Sequence, residues 1–247
     1  MTDHPTLERP STAWLRQLCT AAAVGLVLCG AAQAHNVWLE ADAQGGYVMQ
    51  FGGHDGQLEA FDPAKLQRVH AYDLRGRSVP TEVQRLPDGI RVKPDAKAAL
   101  IAVELDNGYF SGSADKHAEM KPLPMDQNPG AVRGVHARKF HKTVVQWGAL
   151  LQRPLGQMFE VVPQQGKAPH AGQALRLLVL LNGKPQPGVR LSWGEHGSPV
   201  STDAQGLATV VPTAGTNTLQ AILRVPVTGD AKTTENSYEY LLRFAVH

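Results

Sequence analysis

From residue 35 onward, apolar and polar positions alternate in short runs, and few stretches show the longer period of an amphipathic helix. "NVWLEAD", "GYVMQFG", "RVHAYDL", "GIRVKP" and "ALIAVELD" each read as a strand, and "AQGG", "RGRSV" and "LPDG" supply turns between them. Many short strands at this spacing predict an all-β chain built as sandwiches rather than a parallel sheet with covering helices.

The alternation breaks in "GYFSGSADKHAEMKPLPMDQNPGAVRG", residues 108–134, which has no period and contains three prolines. A long irregular segment of this kind marks a candidate site wall. Periodicity returns in "RKFHKTVVQWGALL", and "GQMFEVVP" reads as the strand that closes a first unit. A second begins near Gly172: "ALRLLVLLNGKPQPGVRLSW" is two strands about a tight turn at Asn182-Gly183, a further turn falls at Asp203 to Gly206, and "SYEYLLRFAV" is a terminal strand. About six antiparallel strands in this half predict an immunoglobulin-like or prealbumin-like sandwich. The expected organisation is therefore a β domain over residues 35–165 and a sandwich over 172–247, with the boundary in "VPQQGKAPHAG".

The first 34 residues change the picture of compartment. Arg9 and Arg16 precede an apolar run of roughly 13 residues, too short to span a bilayer, which ends in "AQA". This is the layout of a cleaved signal peptide, with the cut expected between Ala34 and His35 and the mature chain expected in the periplasm without a transmembrane segment. A lipoprotein cut at Cys29 is disfavoured by Leu28, where a small residue is needed. Both cysteines, Cys19 and Cys29, leave with the leader, which excludes disulfides, thiolate metal sites and cysteine nucleophiles from the mature protein. Across the whole chain, 24 basic side chains nearly balance 22 acidic ones, which gives no reason to expect nucleic acid.

Cleavage there makes His35 the terminal residue. Its amino nitrogen and its ring Nδ1 can then close a six-membered chelate, an arrangement that favours copper, nickel or zinc. One residue supplies two donors, so others are needed. His54, in "FGGHDGQ", sits among glycines that let the backbone expose the ring, and His117, His136 and His141 are further candidates. His136 and His141 are five residues apart, which puts them on opposite faces of a strand. His70 reads as structural. No catalytic constellation emerges: "FSGSAD" lacks the nucleophile-elbow pattern, no two carboxylates are fixed at a glycosidase separation, and the glycine turns lack the helix that a phosphate loop requires.

With these residues assembled, the chain resembles a periplasmic family known as domain of unknown function 4198, whose members are often described as components of nickel or cobalt uptake. The resemblance is carried by "AHNVWLE", "FGGHDG", "DNGYFS", "FHKTVVQWG", "GQMFEVVP" and, in the second half, "LNGKPQPGVRLSW" with "TDAQGLATVVPTAG", a pattern shared with carboxypeptidase-regulatory-like sandwiches. It implies a secreted two-part β protein that handles a transition metal. His35 and His54 match the family's recurring histidines, and Lys142 and Glu160 its Lys and Glu. The chain departs from the pattern by an extra glycine before His54 and by lacking the C-terminal membrane helix of some relatives.

The leading expectation is a non-enzymatic periplasmic protein that captures nickel, cobalt or copper and passes it to an inner- or outer-membrane transporter. The alternative is a β-sandwich adaptor that binds a transporter or receptor, with incidental histidines. A third reading is oxidative: a terminal His chelate with a second His is also the copper site of polysaccharide monooxygenases.

Overall fold

The computed structural model describes residues 35–52, 57–87, 89–115, 118–194 and 197–246. Among these, the chain forms sixteen strands and no α-helix; its 3-10 turns are Pro63–Lys65, Met125–Gln127 and Ala149–Gln152. The strands are β1 Asn36–Ala41, β2 Tyr47–Gly52, β3 Leu66–Tyr72, β4 Ser78–Val79, β5 Thr81–Leu86, β6 Gly89–Pro94, β7 Leu100–Gly112, β8 Arg133–Val144, β9 Phe159–Pro163, β10 Leu175–Leu181, β11 Lys184–Pro185, β12 Arg190–Trp193, β13 Val200–Ser201, β14 Leu207–Val210, β15 Gly215–Pro226 and β16 Glu235–Val246. The all-β, sandwich-like architecture expected from the alternation is what the chain adopts.

An eight-stranded sheet in the order β13-β12-β15-β16-β8-β7-β3-β4 runs through the molecule. Its pairings are antiparallel except at its centre, where β8 and β16 lie parallel, with Lys139 opposite Glu239 and His141 opposite Leu241. Residues from both halves of the sequence thus share one sheet. A four-stranded sheet, β1-β2-β6-β5, covers one face; β9, β10, β11 and β14 form the layer on the other.

Strand alternation explains the two cores. Successive side chains point to opposite faces, so a strand covered on both sides must be apolar throughout. In β7, Ile101, Val103 and Leu105 join Val37, Leu39, Met49, Phe51, Ile90 and Val92 in one core, while Leu100 faces the other. That second core gathers Phe140 and Val144 of β8 and Tyr238, Tyr240, Leu242 and Phe244 of β16 against Phe159, Val161, Leu175, Leu177 and Val179.

The turns follow their residues. Asn182 and Gly183 both have positive φ, 51° and 73°, which gives a two-residue hairpin its twist and pairs Leu181 with Lys184. The turn at Asp203 closes with the Gly206 N–H donating to the Asp203 carbonyl at 3.0 Å.

The irregular segment is shorter than the alternation suggested. β7 continues to Gly112 and β8 begins at Arg133, because a bulge at Asp106/Gly108, with Gly108 at φ 86°, shifts the phase without ending the strand. β5, "TEVQRL", has no counterpart among the expected strands; it is a half-exposed edge with no clean apolar face.

β8 is the unusual strand. It is central and covered on both faces, yet His136, Lys139, His141 and Lys142 are all buried. Buried charge must be paired. Lys139 pairs with Glu239 across the parallel register. The Lys142 Nζ donates to Glu160 Oε1 at 2.6 Å and to the Val161 carbonyl at 3.2 Å, while the Leu155 and Gly156 N–H groups donate to the same carboxylate at 2.6 and 3.0 Å. Burial lowers the pKa of both lysines, against the pull of their carboxylate partners.

Candidate metal centre

His35 immediately precedes β1 and is held at one corner of the four-stranded sheet. Its Nε2 lies 2.7 Å from Glu59 Oε1, and its ring stacks on Phe51 at 5.6 Å between centroids and 10° between planes. Phe51 in turn packs on Phe61 at 5.5 Å. The imidazole is thus gripped on one flat face and at one nitrogen, with 28% of the side chain exposed.

The same corner closes the loop that carries the second candidate. Asn36 pairs with Gly52, Gly52 bridges to Leu58, and the Glu59 N–H donates to the Phe51 carbonyl at 2.8 Å. Gly52 has φ 140°, and a Cβ on it would lie 2.2 Å from the Gln57 carbonyl oxygen, so only glycine fits where the two ends of the loop meet. His54 lies outside the described residues. Gly52, at the near end of that loop, is the register partner of Asn36, the residue after His35.

Of the other candidates, His136 and His141 lie in β8. His117 lies outside the described residues. His136 and His141 occupy opposite faces of β8. The Nε2 of His136 is 2.9 Å from Asp106 Oδ1, and its ring stacks on Tyr109 at 4.1 Å. Burial raises the Asp106 pKa, but hydrogen bonds from the His136 ring and the Gly108 N–H outweigh it and leave the carboxyl below its ordinary range. His141 is fully buried beneath β1, where its Nε2 accepts from the Leu39 N–H at 3.2 Å and lies 2.7 Å from the Thr143 hydroxyl. Burial drives its pKa down to about 3; the Leu241 backbone opposes the shift and the charge of Arg243 adds to it. Both rings are built into the sheet with partners of their own.

Among the described residues no three His, Asp, Glu or Cys side chains converge as a metal cluster. The donor chemistry that fits a transition metal is at the His35 corner, where one oriented imidazole stands beside the base of the His54 loop. Glu59 was missed in the sequence because its proximity to His35, 24 residues away, depends on the β1-β2 register and the loop closure. The Asp106–His136 pair was missed because it depends on the bulge. Lys142 and Glu160, matched through the resemblance alone, form the buried ion pair described above.

A family model described as Domain of unknown function (DUF4198) matches residues 32–225. An uncharacterized protein of Haemophilus influenzae is 34% identical over 215 residues, covering 86% of this chain and 91% of its own length. The chain belongs to the domain of unknown function 4198 family.

Proposed function

We propose that this family member is exported to the periplasm, is cut between Ala34 and His35, and binds one divalent transition metal, nickel, cobalt or copper, at the terminus so created, as a component of metal uptake or handling. The observation that carries the reading is the shared corner: the clamp Asn36–Gly52–Leu58 fixes His35 and both ends of the His54 loop at one place. His35 would supply its amino nitrogen and Nδ1, and His54 a further imidazole, a nitrogen set that suits these metals better than magnesium or calcium. The bound metal supplies cargo chemistry only; the chain's part is to hold donors in place before binding, which lowers the ordering cost. Among the described residues no helix is long and apolar enough to cross a membrane; in this reading the metal is handed over to a membrane transporter.

The test is calorimetric titration of nickel, cobalt, copper and zinc into protein purified from periplasm, with its His35 terminus established by intact mass. One-to-one binding that collapses when the amino group is blocked, or when one residue is added before His35, is the expected result. Unchanged affinity after either modification would overturn the site. Absence of binding together with a co-purifying membrane protein would favour the adaptor reading.

A further inference from the structure

We infer that Glu59 is the positioning residue of this site, holding the far nitrogen of the His35 ring so that Nδ1 and the terminal amino group present themselves together; the inference rests on the metal-binding reading above. A chelate through the amino nitrogen closes a six-membered ring only at Nδ1. Nε2 points away from it across the imidazole. The tautomer of a histidine is set by the hydrogen bond its other nitrogen makes. A carboxylate can only accept, so a neutral His35 ring with Nε2 at 2.7 Å from Glu59 Oε1 carries its hydrogen on Nε2 and its lone pair on Nδ1.

Two further contacts make this orientation rigid. The Phe51 face, 10° from parallel to the imidazole, fixes the plane of the ring. The Glu59 N–H donates to the Phe51 carbonyl at 2.8 Å, so the residue that bonds the ring and the residue that stacks on it are tied to one another. Ligand imidazoles are commonly oriented by a carboxylate on the opposite nitrogen. Because Glu59 occupies Nε2, on the side of the ring away from the chelate, its role is to orient the ligand rather than to join the coordination sphere.

The side chain of Glu59 is 42% exposed, so substitution there does not open the core. The experiment uses the mature protein with its native terminus and the variants Glu59→Ala and Glu59→Gln, with nickel and copper alone as probes. Nitrogen-15 NMR of the metal-free protein, well above the ordinary imidazole range, is expected to show an exchange-protected, downfield Nε2–H on His35; it is lost in Glu59→Ala and displaced in Glu59→Gln, which retains an uncharged acceptor. Affinity is expected to fall about 10- to 100-fold in Glu59→Ala and less in Glu59→Gln. The copper-loaded proteins are expected to show the same donor set by electron paramagnetic resonance. Equal affinity of wild type and Glu59→Ala, with binding still dependent on the amino group, overturns this inference alone. A changed donor set would make Glu59 a ligand and also overturn it. Failure of the wild-type protein to bind metal overturns the metal reading and the inference with it.

Discussion

His141 stores an acid sensitivity at a single residue. Burial beneath β1 keeps the ring neutral to about pH 3, whereas an unfolded histidine takes up a proton below its ordinary value of about 6.5. The depressed pKa therefore contributes stability that is complete above that ordinary value and is lost progressively as pH falls toward 3. The slope is at most about 1.4 kcal/mol per pH unit for one proton. The variant His141→Asn is expected to lose stability at neutral pH, because it fits the site less well and must still accept from the Leu39 N–H, yet to show an acid limb shallower by up to one proton. Urea unfolding of both proteins between about pH 7 and pH 4 measures the two slopes; parallel limbs would mean that His141 is protonated in the folded protein. Nothing in "KFHKTV" foretells this role. The alternation reveals that His136 and His141 face apart, but which face β1 covers is decided by the stacking of sheets, not by the strand itself.

At the scale of elements, the loop closure at Gly52 makes a prediction with a built-in control. Gly52 and Gly89 have nearly the same positive φ, 140° and 142°, but a Cβ at 52 meets the Gln57 carbonyl oxygen at 2.2 Å whereas one at 89 meets nothing within 4 Å. Gly89→Ala is expected to cost only backbone strain, about 1–3 kcal/mol. Gly52→Ala should cost more in thermal unfolding and should also weaken metal binding, because Gln57 and the loop base must move. Equal losses in both variants, with metal affinity intact, would detach the loop from the site. Most strands of the first half were legible in the sequence. The end of β7 was not, because its bulge moves Tyr109 onto the face of Asp106 and erases the period of two. The start of β8, "RGVHARK", was hidden by the polar side chains of His136 and Lys139, which are buried through their pairing with Asp106 and Glu239.

For the whole molecule, the decisive feature is that β16, the last strand, pairs in parallel with β8 and completes a sheet that contributes to both cores. The sequence divides naturally near residues 165–172, where turn-rich chain separates two sets of strands. Yet β9, read as the closing strand of the first set, pairs with β10, placing Leu181 opposite Phe159. The β8–β16 connection is invisible to a linear reading, because parallel pairing between distant segments leaves no local signal. It has a thermodynamic consequence. If the central sheet couples the layers, neither core can open without exposing a face of β8, which buries His141 beneath β1 and, on its other face, Lys142 against Glu160 of β9. Unfolding should be a single cooperative transition. Hydrogen exchange followed by mass spectrometry in increasing urea is expected to show β1–β2 and β10–β14 losing protection at the same midpoint, coincident with the loss of strand signal in circular dichroism. Removal of β16 should therefore unfold the His35 corner as well as the second half. Two separated midpoints, or a truncated protein that still protects β1–β2 and binds metal, would instead show two independently stable units that share a sheet without sharing a folding transition.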